Sequence, residues 1–172
     1  MTLLERVTRC LASAAVPHAL IGAAALAAAG VSRSTYDVDL LTTDRRVLDE
    51  DLWGPLRTTG TAIEVRRGDC DDPLAGVVRI GSPGERPVDV VVGRHAWQAR
   101  AIQRARGGLG PAPVVAPRDL VLLKLYAGGP QDLWDVRELL ALPTAAQLIA
   151  EVEADLADLP AGMRERWLEA RR

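Results

Sequence analysis

The sequence predicts an α+β fold, a mixed sheet flanked by helices, with a C-terminal helical extension. Strand-like runs rich in β-formers at residues 18–22, 36–42, 61–67, 77–80 and 86–92 are interleaved with helical segments. Beyond Pro117 every segment has helical character. Between the two regimes lies the Gly/Pro-rich stretch 107–113 (GGLGPAP). Strands mixed with helices and then helices alone imply an α/β core over 1–110 and a helical extension of the same domain over 111–172. The 172 residues suffice for one such domain.

The elements follow in order. Leu3, Leu4, Val7, Leu11 and Ala14 recur at helical spacing and define a first amphipathic helix that stops before Pro17. Residues 18–22 (HALIG) read as a short buried strand. Gly22 breaks it, and residues 23–29 form a small-residue helix closed by Gly30. Residues 36–42 (YDVDLLT) alternate β-formers with two aspartates. A helix is expected over 45–56. Strands at 61–67 and 77–80 flank an acidic turn containing Asp69, Asp71, Asp72 and Pro73, which reads as solvated. After a GSPG turn, the apolar run within 86–92 predicts a central strand. Residues 95–106 look helical, and further helices are expected over 118–127, 133–142, 145–159 and 163–172. The four tryptophans are spaced like core anchors, and His18 and His95 lack a ligand pattern.

Composition excludes several function classes. A net charge of −2 provides no global basic field for long nucleic acid. A local RNA-binding rim would need Arg66, Arg67, Arg100, Arg104 and Arg106 to share a face. The longest apolar run, 19–29, is shorter than the ~20 residues that cross a bilayer. The first residues lack the order of a signal peptide, so a cytoplasmic protein with no membrane partner is expected. Cys10 and Cys70 have neither metal-ligand spacing nor a disulfide pattern. Lys124 is the only lysine.

The chemistry concentrates in carboxylates. Side chains at i and i+2 of a strand share a face about 6.6 Å apart, so Asp37 and Asp39 project together. Two bare carboxylates on an otherwise apolar strand cost several kcal/mol unless compensated, and a divalent cation compensates both. Asp89, inside VDVVV, is the third. If its strand lies beside that of Asp37, three carboxylates converge on two metals about 3.5–4 Å apart, a spacing suited to in-line phosphoryl displacement. An Asp-x-Asp pair alone is common where a strand turns into an acidic loop; the glycine-terminated strand before it and the lone aspartate fifty residues after it supply the context.

Ile21-Gly22-Ala23, Arg33-Ser34-Thr35-Tyr36-Asp37-Val38-Asp39-Leu40 and Pro87-Val88-Asp89-Val90 together resemble the nucleotidyltransferase (polymerase β-like) superfamily. The segment from Pro117 through Lys124, followed by Gln131-Asp132-Leu-Trp-Asp135, is similar to the AbiE-type abortive-infection toxin branch. The resemblance spans about residues 17–140. It implies a nucleotidyltransferase fold in which Asp37, Asp39 and Asp89 bind Mg²⁺, with two ions expected, and Asp89 helps deprotonate the acceptor hydroxyl. It further implies an NTP substrate approached by the backbone at Gly22 and Ala23 and contacted by Arg33, Ser34 and Thr35. Lys124 would add positive charge near the nucleotide, with Asp132 and Asp135 orienting it or the acceptor. The acceptor would be an RNA end such as tRNA, a protein or a small molecule, and an antitoxin or regulatory partner is implied by the toxin branch.

Ala23 departs from the family's Gly-Gly or Gly-Ser pair, removing a phosphate hydrogen bond worth on the order of 1 kcal/mol. Ala23 favours one alternative, a degenerate member that binds a nucleotide or partner without turnover; a further alternative is an antibiotic-modifying nucleotidyltransferase with an acidic pocket for a cationic drug, to which the loop residues Asp69, Asp71 and Asp72 point weakly. Bland roles also exist for single residues. Lys124 fits a snorkelling surface lysine, Asp132 an N-cap, and Asp135 a first-turn acid facing the helix dipole.

Overall fold

The alternation of Val38-Asp39-Leu40-Leu41 and of Val88-Asp89-Val90-Val91 sends neighbouring side chains to opposite sides of a sheet. The structure, a computed structural model, describes every residue except Ser34, Thr58, Thr59, Leu109 and Asp158. Its strands are β1 (Ala19–Leu20), β2 (Val38–Thr42), β3 (Ala62–Arg67), β4 (Gly76–Gly81) and β5 (Val88–Val92), ordered β1-β2-β5-β4-β3. The β2–β5 pair is parallel, and β1–β2, β5–β4 and β4–β3 are antiparallel. The predicted α+β architecture, with β5 central, is what forms.

Each sheet face has its own core. Leu40, Val78, Ile80, Val88 and Val90 pack beneath α1 (Leu3–Ser13) and two short 3₁₀ helices, Arg45–Leu48 and Glu50–Leu56, with Trp53 fully buried. Helix α1 presents Leu3, Val7 and Leu11 to this core and is closed at its start by a Thr2–Glu5 capping box. On the opposite face, Ala19, Leu41 and Val91 meet the helical layer. That layer comprises α2 (Gly22–Ala28), α3 (Ala96–Arg104), α4 (Pro117–Ala127), α5 (Pro130–Leu140), α6 (Ala145–Leu156) and α7 (Ala161–Ala170). Asp39 and Asp89 share this second face with Leu41 and Val91, at the end the helices leave partly open.

Three expectations need correction. Residues 45–56 form 3₁₀ turns rather than one helix. The side chains of Asp44 and Asp49 accept from the backbone N–H two residues on, Asp49 is extended, and Pro55 lacks a donor. The helix expected to reach residue 106 ends at Arg104, because Arg106 and Leu20 both bridge to Val114. At the sheet edge Leu20 donates to Pro113 O at 2.7 Å and accepts from Val115 at 3.1 Å. Trp53, Trp97 and Trp167 are core residues, whereas Trp134 is 46% exposed. Among the described residues no helix is long and apolar enough to cross a membrane.

Candidate active site

Strand register builds the centre of the site. Asp39 of β2 pairs directly with Asp89 of β5, Asp89 with Arg79 of β4, and Arg79 with Glu64 of β3. Four charged side chains therefore form one row across the open half of the second face. Asp37 lies just before β2, steadied by Thr35 Oγ1, which donates to Asp37 Oδ1 at 2.8 Å. Gly22 opens α2 at φ +62°, a region that favours glycine, and a Cβ there would collide with Asp39 Oδ2. The β1–α2 turn can lie against the carboxylate only because residue 22 has no side chain.

The patch is electrostatically loaded. Burial, then the charges of Asp37 and Asp89, push the Asp39 carboxyl up to about 6, against the pull of Lys124 and Arg33. Burial also raises Asp89, with Arg79 as the principal opposing influence. Asp89 Oδ2 accepts from Arg79 Nη1 at 2.8 Å, while its buried Oδ1 has no hydrogen-bond partner among the described residues. Arg79 Nη2 also approaches Asp37 Oδ2 at 3.9 Å. An orphaned buried carboxylate oxygen beside two further carboxylates fits a hard divalent cation such as Mg²⁺.

The three carboxylates share the patch without being drawn to chelating distance. Among the described residues, the acidic group whose ligand atoms lie within 4.8 Å of one another is Asp69, Cys70 and Asp71, on the exposed turn. There Asp69 Oδ1 accepts from the N–H groups of Asp71 and Asp72, as a solvated turn requires. Arg79 was not singled out by the sequence; a lone arginine within GVVRIG was the available signal, and only strand register shows what it faces.

A second cluster ties the helices to the loop before β2. Lys124 Nζ contacts Asp132 Oδ1 and Asp135 Oδ2, each at 2.8 Å, and Arg33 Nη1 reaches Asp135 Oδ2 at 2.7 Å. The Asp135 side chain is wholly buried and sits in the second turn of α5, so these two cations answer its charge, not the helix dipole. Asp132 is not the N-cap. Gly129 holds that position, and Asp132 Oδ2 accepts its N–H at 3.1 Å while the other oxygen holds Lys124. Lys124, 11% exposed between two carboxylates, is no snorkelling surface residue.

Gly22, Asp39, Lys124 and Asp132 line one cavity of about 350 Å³, whose remaining wall is mainly apolar and includes Leu41, Leu123 and Tyr126. Ala23, Arg33, Thr35 and Asp37 line a separate groove of about 330 Å³. Eight of the expected residues thus fall on two depressions beside the start of β2, while Asp89 and Asp135 line neither; Ser34 lies outside the described residues. The arginine rim does not assemble. Arg66 pairs with Glu64, and Arg67, next along the strand and hence on the other face, donates to Leu48 O. Arg104 is held by the buried Asp119 and by Asp155.

No family model and no curated protein matches the chain in sequence. Solved structures do match. The crystal structure of ANT(2'')-Ia in complex with adenylyl-2''-tobramycin is 16% identical, with a TM-score of 0.59 over 96% of this chain and 97% of that one. The solution structure of the antibiotic-resistance factor ANT(2'')-Ia is also 16% identical, with a TM-score of 0.57 over 98% and 94% of the two chains. The chain has the nucleotidyltransferase fold. An antigenic nucleotidyltransferase-like protein from Paracoccidioides brasiliensis matches at 16% identity over 94% and 90% of the chains, with a TM-score of 0.49. Within the nucleotidyltransferase fold of this chain, the parallel β2–β5 pair carries the Asp39–Asp89 contact, with the Gly22 turn immediately against it.

Proposed function

We propose that this protein is an Mg²⁺-dependent nucleotidyltransferase that moves a nucleotidyl group from an NTP to a hydroxyl acceptor. The observation that carries the proposal is the in-register Asp39–Asp89 pair with Asp37 alongside, in which the buried Oδ1 of Asp89 lacks a partner among the described residues. Asp37, Asp39 and Asp89 would hold the metal. When bound, Mg²⁺ would neutralise phosphate charge and favour ionisation of the acceptor hydroxyl. The chain's residues do the rest by positioning and charge. The acceptor oxygen attacks the α-phosphorus, the bond to the bridging oxygen breaks, and pyrophosphate leaves. Asp89 would take the hydroxyl proton. Gly22 and Ala23 leave room for the triphosphate, Arg33 and Thr35 line its approach, and Lys124 supplies positive charge, oriented by Asp132 and Asp135.

Two features favour a small-molecule acceptor over RNA: the arginines do not form a rim, and a cavity of about 350 Å³ opens beside Asp39. ANT(2'')-Ia, seen with adenylyl-2''-tobramycin, supports the same direction. The mainly apolar wall here points away from a polycationic drug. The toxin-branch reading, with its antitoxin partner, rests on the Lys124-to-Asp135 sequence resemblance, and a cytoplasmic setting on the composition of the chain. A non-catalytic binding module is the second reading, favoured by Ala23 and by the engagement of Asp89 with Arg79.

The test is to incubate the protein with each α-labelled NTP, Mg²⁺ and panels of small hydroxyl compounds, RNA and protein. Label transfer that disappears in Asp37→Asn supports the enzyme. Nucleotide binding without transfer to any acceptor would establish the second reading instead.

A further inference from the structure

We propose that Arg79 is a built-in counter-cation for the carboxylate patch, competing with the divalent ion for Asp89 and Asp37 and thereby setting metal affinity. The proposal rests on the metal-dependent reading above. Cross-strand neighbours on one sheet face have Cβ atoms about 4.5–5.5 Å apart, so Arg79 has two equivalent choices: Asp89 on β5 and Glu64 on β3. Glu64, more exposed than Asp89, is already engaged at one of its oxygens. Arg66 holds its Oε1 through Nε at 3.0 Å and Nη2 at 2.8 Å. Arg79 accordingly turns the other way, donating to Asp89 Oδ2 at 2.8 Å and placing its second nitrogen 3.9 Å from Asp37 Oδ2. Its single positive charge stands among the carboxylates proposed to hold the metal.

This arrangement has a thermodynamic consequence. A cation arriving alone can use the free Oδ1 of Asp89, but it then meets the Arg79 guanidinium held on Oδ2 of the same carboxylate, and the two positive charges repel. A cation arriving with a triphosphate brings anionic oxygens that match the guanidinium fork, so the repulsion is offset and Arg79 gains a new partner. Metal and nucleotide therefore bind cooperatively, and Arg79 carries the coupling. It is a positioning and specificity-determining residue, and its effect is visible without turnover.

The experiment is a Mn²⁺ titration of the full chain followed by electron paramagnetic resonance, with and without an α,β-methylene NTP. The variants are Arg79→Gln, Arg79→Lys and Asp39→Asn, each checked for native circular dichroism. In Arg79→Gln, Mn²⁺ alone should bind about tenfold tighter than in the wild type, the scale of one hydrogen bond to a charged group. The enhancement by nucleotide should shrink correspondingly, and Arg79→Lys should fall between. Asp39→Asn should lose the site and defines background from the exposed Asp69 turn. If Asp39→Asn abolishes binding while Arg79→Gln binds Mn²⁺ no tighter than wild type, the role of Arg79 is refuted and the metal site stands. If Asp39→Asn binds as the wild type does, the metal-dependent reading itself falls.

Discussion

Asp39→Asn should make the metal-free protein more stable while removing the proposed nucleotidyl transfer. The Asp39 carboxyl is displaced upward from 3.8 to about 6, chiefly by burial and then by the neighbouring charges of Asp37 and Asp89. Because the folded state holds this proton more tightly than the unfolded chain, the associated stability is fully present below about 3.8. It is lost as pH rises through about 6. Linkage converts the displacement to about 3 kcal/mol, and screening by water at a partly exposed group leaves about 2 kcal/mol as the working figure. Asparagine has nearly the same shape, so the close packing on Gly22 is retained while the charge disappears. Thermal melts in EDTA should show Asp39→Asn above the wild type by about 4–8 °C at pH 7.5. The two should coincide at pH 4. A lower Tm for the variant at pH 7.5, or the same offset at both pH values, would refute the reasoning, because strain or packing and not charge would then be responsible.

Three further outcomes follow from the same geometry. Gly22→Ala forces a Cβ into Asp39 at a positive φ and should cost about 2 kcal/mol in urea unfolding, with loss of NTP-dependent thermal stabilisation. Asp135→Ala strips the buried partner from both Lys124 and Arg33 and should cost about 3–5 kcal/mol by the same measurement; a change below 1 kcal/mol would show that those cations find other partners. Wild-type protein with Mg²⁺ and an NTP should melt higher than with either alone, by an amount that grows with ligand concentration, and Asp89→Asn should remove that gain.

Much of this protein was readable in the chain itself. The period-two pattern of VDLLT and VDVVV defines two strands and commits Asp39 and Asp89 to the faces opposite Leu40 and Val90, because a pleated strand leaves no other geometry. The helical periodicity after Pro117 likewise determined the α4–α7 layer. The 3₁₀ character of residues 45–56 escaped because local aspartate caps compete with an α-helix over a few residues, and apolar spacing does not register that competition. Lys124, Asp132 and Asp135 were visible as residues but not as a network. Their charges are matched only when α4 and α5 dock against the loop bearing Arg33, 102 residues away in sequence from Asp135. Arg79 is the clearest case of what only the tertiary structure decided. Its chemistry is ordinary in the sequence, and the parallel β2–β5 pairing followed by the antiparallel β5–β4 pairing places it among three carboxylates. Side-chain direction is a local property of the backbone; which charge stands next to which is set by strand register across the sheet, and that is determined by packing on both faces at once.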